Sequence, residues 1–539
     1  MTLAPSTNPA VISVHGPHAL SGVTTWAARM AGNDGPLAHQ MVIVRRESDP
    51  TIDARFPGAG TPGFDVLTIA DDATVADGVL AIADRFASAG PAIALVHDHL
   101  PAAVAAAIVG RDDFGIASIS HADEPRYEEL FDRIGGLLDV WWGDSKDACR
   151  RAMTDACAHA CAGAFPGGAP RVEDPTLPPG SFDASRPTRL LWLGRVERYQ
   201  KRALDAVAVT KCLADAGVDA KMTIAGDGPA LAEVRERIGT LGLRTRCEAI
   251  GVVEPAGVPD LLREHDALVM TSAFEGTPVA AAEAAHHGCA LFITEGCGGL
   301  LDLAREGEAG VTPIGACGLQ ARAVADAVVR PGALRELGNA ALGLARRDLD
   351  QATIRVAMDC ALQDAFAKRP PFRVEEKWNQ VLRAMEGIGG VTERDVRSVR
   401  AWYVTEHRGV NADALGVRMP GVPCLEERLV RRAVGELTGT GVSRIALYGA
   451  GRHTRAASGA LHDLRALTVV IDDSAAGGDS IEGVPVVHPD DPRALDAEAV
   501  IVSSSEYEEA MADRARAWAD GRRVVPLYAP LHQETGASA

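Results

Sequence analysis

Residues 273–288 read AFEGTPVAAAEAAHHG, which sets Glu275 and Glu283 eight positions apart around a small-residue turn opening an alanine-rich helix. The first N–H groups of a helix have no intrahelical acceptor and carry the positive end of its dipole, so a helix mouth favours anions. A carboxylate beside that mouth and a second about two turns on can hold a polyol, a diphosphate and a ribose in line. That combination points to a sugar nucleotide. The segment follows the apolar run ALVMTSA, so it reads as the strand–turn–helix step of a parallel α/β sheet.

The same alternation runs outward in both directions. Upstream stand RLLWLGR (189–195), the helical KRALDAVAVTKCLADAG, and the strands KMTIAGDGP and CEAIGVV; downstream, CALFITEGCGGLLDLAREGEAGV repeats strand–turn–helix, and Ala/Arg/Leu-rich helices follow to residue 387. An earlier series comprises VISVH (11–15), SGVTTWAARMA (21–31), HQMVIVRR (39–46), FDVLTIA (64–70) and PAIALVHDH (91–99). The Pro/Gly-rich stretch 163–188 marks a boundary between the two. A third series, SRIALYGAGRHTRAASGAL, TVVIDD, EAVIVSSS and RVVPLYAP, follows a polar helical stretch broken at GVRMPGVPC (416–424). Strands alternating with helices predict parallel sheets covered on both faces. The expected organisation is a first domain over 1–180, a second with closing helices over 188–387, a helical linker over 388–437, and a smaller Rossmann-like domain over 440–539. A cleft between two tandem α/β domains is the natural binding site.

Composition narrows the partners. The 539 residues are 47% apolar and 24% charged, enough for several cores. A formal charge of -19 argues against nucleic acid, and limits membrane association to a peripheral contact through a local basic patch. The start, MTLAPSTNPAVISVHG, has neither a basic n-region nor a long apolar h-region, and no uncharged run of eighteen apolar residues occurs elsewhere. A cytoplasmic protein is expected. The ten cysteines form no CxxC pair, and the nearest, Cys157 and Cys161, have no His/Cys partners at zinc spacing. Reduced, mostly buried thiols and no structural metal are expected. The chain carries no signature of oligomeric state.

Arg195 ends a predicted strand in LWLGRVERYQKRAL, and Lys201 stands six residues later, where the next helix starts. Two cations beside a helix N-terminus would neutralise a diphosphate and help it leave; taken singly they read equally as surface cations. The GDGP turn at 226–229 lies at the carboxyl edge of the same sheet. Together with residues 273–288, these elements resemble the donor domain of the retaining glycosyltransferases of family 4, the glycosyl transferases group 1, which have the two-domain GT-B fold. The matches run in the family's order: Arg195 and Lys201; Gly226, Gly228 and Pro229; E-G-x-P-x4-E-A from Glu275 to Ala284; Gly288; and GCGG at 296–299. They are densest over 189–312 and weaker toward the start of the chain.

The resemblance implies roles position by position. Arg195 and Lys201 would contact the donor diphosphate, Glu283 the ribose, and Glu275 the transferred sugar, while N–H groups of Gly276, Thr277 and Val279 receive phosphate oxygens. Pro278 lacks an N–H, which suits a first helical turn. The plain alternative for Glu275 and Glu283 is a helix-capping carboxylate and a solvated helix residue. In the first domain, the family's pair of glycines facing donor and acceptor is here Ser21 and Gly22, so only Gly22 carries over. HDH at 97–99 resembles the family's H-x-H; His99 matches the histidine near the transferred sugar, with His97 the second choice, and the alternative that one merely caps the strand stays open. His121 could line the acceptor side or sit in a surface loop.

The implied reaction is transfer from a nucleoside-diphosphate sugar to an acceptor hydroxyl with retention, in the setting of polysaccharide or glycoconjugate assembly, by a hexosyltransferase-type enzyme. The resemblance implies front-face departure, the diphosphate assisting the incoming hydroxyl, without a metal or other cofactor, Arg and Lys taking the metal's place; no well-placed nucleophile and no strand-end DxD are evident in the sequence. A different class is also open, a catalytically silent sugar-nucleotide sensor or scaffold. In the third domain Gly449 and Gly451 fit the first two glycines of a dinucleotide fingerprint, Thr454 replaces the third, and Asp472 and Asp473 end the next strand as a ribose-binding acid would. Nucleotide binding without hydride chemistry, a partner-binding role, and NAD(P)-dependent oxidation are the three readings of that domain.

Overall fold

A computed structural model describes residues 9–16, 22–31, 35–49, 63–121, 125–153, 157–172, 186–369, 374–407, 415, 425–475, 478–504, 508–519 and 521–527. These fall into two compact units, Met1–Pro420 and Gly421–Ala539. Ser21 and the GVRMPGVPC segment lie outside the described residues.

The first unit contains two parallel sheets. β1 (Ala10–His15), β2 (His39–Arg46), β3 (Phe64–Ile69), β4 (Ala92–Leu95), β5 (Phe114–Ser120), β6 (Val140–Gly143) and β7 (Cys161–Ala164) bond in the order β3-β2-β1-β4-β5-β6-β7. β8 (Thr188–Leu193), β9 (Ala220–Ala225), β10 (Cys247–Gly251), β11 (Ala267–Val269), β12 (Ala290–Thr294) and β13 (Gly310–Thr312) bond in the order β10-β9-β8-β11-β12-β13. Central strands β4, β5, β11 and β12 are buried along their whole length, as strands covered on both faces require. In each sheet the strand order reverses beside the first strand, between β1 and β4 and between β8 and β11. Such a switch point opens a crevice at the carboxyl ends of the strands.

The strands β5, β6 and β7 go beyond those predicted from the pattern. FGIASIS dilutes its apolar run with Gly and Ser, and VWWG and CAGA span only four residues each. The strand predicted over 91–99 stops at Leu95 because the chain turns at His97, whose φ is 46°.

The stretch 388–437, expected as a linker, is divided between the units. Helix Glu393–Glu406 sends Val396, Val399 and Tyr403 into the apolar core of the first domain, whereas helix Leu425–Gly439 belongs to the second unit. Helices Gln351–Lys368 and Val374–Glu386, expected to close the donor domain, also return to the first: Met358 and Leu362 pack with Met41 and Ile43, and Trp378, Val381 and Leu382 join the Phe131 core. Fully buried Asp359 pairs with His39 Nε2 at 2.7 Å and accepts Leu37 N–H at 3.1 Å.

Asp395 locks the Glu393–Glu406 helix in place. It completes a capping box with Thr392 and accepts the Ala76 N–H at 3.0 Å. Burial would raise its carboxyl, but the Thr392 hydroxyl and the N–H groups of Ala76 and Thr392 outweigh burial and hold it below the usual range. Asp395→Ala should therefore cost about 1–2 kcal/mol in urea unfolding at neutral pH. A depressed folded-state value makes this contribution complete above the unfolded carboxylate value of about 4. The deficit of the variant should shrink as pH falls below that value.

In the second unit β14 (Ile445–Tyr448), β15 (Leu467–Ile471), β16 (Ser480–Ile481), β17 (Val484–Val487), β18 (Ala499–Val502) and β19 (Arg523–Pro526) bond in the order β16-β17-β15-β14-β18-β19. All pairs are parallel except β16 with β17. The predicted Rossmann-like module is therefore present, with a small antiparallel edge.

Candidate active site

Two loops leave the switch point of the second sheet, one after β8 and one after β11. The first carries Arg195 and Lys201. Its Gly194 and Val196 lie so close to the 226–230 turn that a Cβ on Gly226 would stand 1.8 Å from Gly194 O, and one on Gly228 2.4 Å from Val196 O. Bonds from Val196 N to Asp227 O (2.8 Å) and from Ala230 N to Val196 O (3.0 Å) close this contact. Gly226 thus supports the Arg195 loop through backbone packing, and Arg195 itself is exposed. Glu197 turns inward, accepts the N–H groups of Tyr199 (2.7 Å), Gln200 (3.1 Å) and Lys201, and so aims the lysine. Thr271 Oγ1 donates to the carbonyl oxygens of Lys201 and Arg202, and Ala273 N–H to that of Gln200, which ties the two loops together.

Glu275 lies where they meet, 6% exposed. Its Oε1 accepts from Lys201 Nζ at 2.5 Å and Ser272 Oγ at 2.7 Å, and its Oε2 from Gln200 Nε2 at 3.3 Å. Four residues from the two predicted motifs and their connections thus form one charged cluster. Pro278 precedes the helix Val279–His286, and Val279 packs against the first-domain cluster containing Trp26. Just over one turn into that helix, Glu283 is ion-paired with Arg29 on the first-domain helix Gly22–Met30. Gly22 is the first residue of that helix.

The first domain meets the Gly276 end as well. Thr277 Oγ1 donates to Asp144 O at 2.6 Å, and Lys146 N–H donates to Asp302 at 2.7 Å. The Asp144 carboxyl lies against Gly276, where an added Cβ would stand 1.8 Å from Oδ1. Burial pushes this carboxyl well above the usual carboxylate range; the Thr277 N–H opposes that rise and the Glu275 charge adds to it. Of the three N–H groups expected to receive phosphate, Thr277's therefore faces Asp144 in this state. Gly276 and Gly299 both admit the Asp144 loop, since a Cβ on Gly299 would lie 2.7 Å from Asp144 O.

His99, expected near the transferred sugar, caps the helix Leu100–Val109, its Nδ1 accepting Ala102 N–H at 3.1 Å. His97 is fully buried. Its Nε2 is 2.7 Å from Ser13 Oγ and its Nδ1 2.8 Å from His121 Nε2, while Ser13 Oγ also lies 2.9 Å from His15 Nε2. Burial first, and then the other three histidines nearby, His15, His121 and His99, hold His97 far below its ordinary value, so it is neutral. A left-handed backbone at a non-glycine residue is strained, and these bonds hold it. The sequence signal for this chain was a histidine at or just after each of three adjacent strands, β1, β4 and β5.

In the second unit Asp472 is engaged by its own loop. Its Oδ2 accepts Ala450 N–H at 3.0 Å, and its Oδ1 accepts Ser474 N–H at 2.9 Å. Burial alone would raise its carboxyl, but the Ser474 hydroxyl and these N–H groups keep it low. Gly449 has φ 108°, and Gly451 precedes the helix Arg452–Ala456, only five residues long. Thr454 Oγ1 bonds to Gly449 O, filling the place of the third glycine, and Asp473 accepts from Tyr448 OH at 2.7 Å.

Residues 187–331, the segment holding the Glu275 cluster, match the family described as Glycosyl transferases group 1. No curated protein matches the chain. Among solved structures, HepE of Anabaena, crystallised with UDP and glucose, is 14% identical with a TM-score of 0.53, covering 66% of this chain and 99% of that one. A glycosyltransferase from Rickettsia africae is 12% identical with a TM-score of 0.52, covering 68% and 100%. Sucrose-phosphate synthase from Thermosynechococcus elongatus is 15% identical with a TM-score of 0.51, covering 67% and 100%. At these identities the likeness is one of fold. The chain has the GT-B arrangement of two Rossmann-like domains, the second carrying the Glycosyl transferases group 1 segment, followed by a further Rossmann-like unit. Among the described residues no helix is long and apolar enough to cross a membrane.

Proposed function

We propose that the protein is a retaining glycosyltransferase, transferring a hexose from a nucleoside-diphosphate sugar to an acceptor hydroxyl without a metal, in polysaccharide or glycoconjugate assembly. The observation that carries this reading is the part-buried Lys201–Glu275 pair before the mouth of the helix Val279–His286, with Glu283 just over one turn into that helix. In this reading Glu275 binds hydroxyls of the sugar, Lys201 and Arg195 stabilise the diphosphate as it leaves, and Glu283 binds the ribose. Glu275 is held by an ammonium group and a hydroxyl, which blunts it as a nucleophile and supports departure and attack on one face of the sugar. The enzyme contributes charge stabilisation and alignment. Proton NMR of the product tests the stereochemistry: the donor's anomeric configuration is expected in the product, and inversion would contradict the assignment.

Arg29 offers a milder test. Its ion pair with Glu283 is partly exposed and distant from the reacting atoms, so it is worth about 1 kcal/mol. Arg29→Ala should raise the donor KM about fivefold and leave kcat nearly unchanged, because the lost interaction is the same in ground and transition states.

A further inference from the structure

Among buried side-chain atoms that lack a hydrogen-bond partner are Asp144 Oδ1 and Arg29 Nη1. Both come from the first domain: Asp144 lies against Gly276, in the turn before the helix Val279–His286, and Arg29 pairs with Glu283 inside that helix. A buried polar group left unpaired costs about 1–3 kcal/mol, so such groups call for an explanation.

We propose that Asp144 is a second sugar-reading acid of the donor site, contributed by the first domain and bonding through Oδ1 to a hydroxyl of the transferred sugar beside Glu275. The assignment rests on the donor-site reading above. Asp144 is 8% exposed and seated against Gly276; the Thr277 N–H faces its carboxyl and the Thr277 hydroxyl bonds its carbonyl oxygen, yet Oδ1 has no hydrogen-bond partner. The two acids differ in state. Glu275 is ion-paired with Lys201 Nζ at 2.5 Å, whereas burial pushes the Asp144 carboxyl well above the usual carboxylate range and so favours its neutral form. A neutral carboxyl can both give and take a hydrogen bond, and it adds no negative charge beside a diphosphate. The sugar would be one that offers two neighbouring oxygens, one to each acid. Because Asp144 belongs to the first domain, the sugar itself would join the two domains.

The test separates the sugar from the nucleotide. Binding of UDP, GDP and ADP and of UDP-glucose, GDP-mannose and ADP-glucose is measured by calorimetry on the full chain, for the wild type and for Asp144→Ala, Asp144→Ser and Asp144→Asn. For whichever pair the wild type binds, Ala and Ser should leave the affinity for the diphosphate unchanged and weaken the sugar nucleotide 10- to 100-fold. Asn, which retains an acceptor and a donor, should restore most of it. Wild-type affinity of Ala and Ser for the sugar nucleotide would overturn the proposal. So would tighter binding of the diphosphate by these variants, which would make Asp144 an occupant of the phosphate slot. If the wild type binds neither member of any pair, the donor-site reading falls and this proposal with it. Should Ala fail to fold, the Ser and Asn variants carry the same comparison.

Discussion

Glu275→Ala and Lys201→Ala are each expected to lower kcat on the nucleoside-diphosphate sugar by about 10²–10³-fold, the usual loss when one preorganised charge-stabilising group is removed. The two residues lie 74 positions apart in sequence yet meet at 2.5 Å, with the Lys201 backbone fixed by Glu197 and Thr271. Removing the carboxylate frees the ammonium to relax away from the diphosphate. Removing the ammonium leaves Glu275, 7% exposed at its side chain, as a charge without its counterion. Each loss therefore damages the other partner. The double variant should be no more than a few-fold worse than either single one, since groups acting as a unit are not additive. Steady-state assays of nucleoside-diphosphate release measure this directly. Turnover within a factor of two of wild type in either single variant would remove the pair from the mechanism.

Gly226→Ala should be among the most destabilising single changes in the second domain, by roughly 3–5 kcal/mol in urea unfolding. Gly226 has φ 135°, a region closed to residues with a Cβ, and the added carbon would stand 1.8 Å from the backbone oxygen of Gly194. The clashing atom is backbone and cannot swing away as a side chain could. Relief requires the Arg195 loop to separate from the 226–230 turn, breaking the bonds of Val196 with Asp227 and Ala230. Gly228→Ala meets the same obstacle at Val196 O. A variant of wild-type stability would show that the loops are not packed as described.

What could be read from the chain depended on whether the information was local. Glu275, Glu283 and the strand ends before them were legible because a helix mouth and a period of two turns are properties of a short segment. VISVH and HQMVIVRR announced buried strands by continuous apolar runs. FGIASIS did not, because its glycine and serines are tolerated only where neighbouring strands cover them. The partners of the site were illegible for a different reason. Arg29 meets Glu283 across 254 positions and Asp144 meets Thr277 across 133, contacts created by the packing of two domains. The function of helix Glu393–Glu406 was hidden likewise: its polar composition reads as a linker until Asp395 is seen capping it and bonding to Ala76. HDH illustrates a third limit, since its two histidines diverge at one strained residue, His97 turning inward and His99 capping a helix.

The central claim is that the cluster around Lys201 and Glu275 binds a sugar nucleotide. Thermal unfolding of the full chain in the presence of each of a set of nucleoside diphosphates and their sugars tests it most directly, because a ligand that binds only the folded state raises its apparent stability. At a ligand concentration of 100 times Kd the stabilisation is about 2.7 kcal/mol. One nucleoside diphosphate and its sugar conjugate are expected to raise Tm clearly in the wild type, and by much less in Lys201→Ala. No shift with any member of the set, or an equal shift in the variant, would contradict the account.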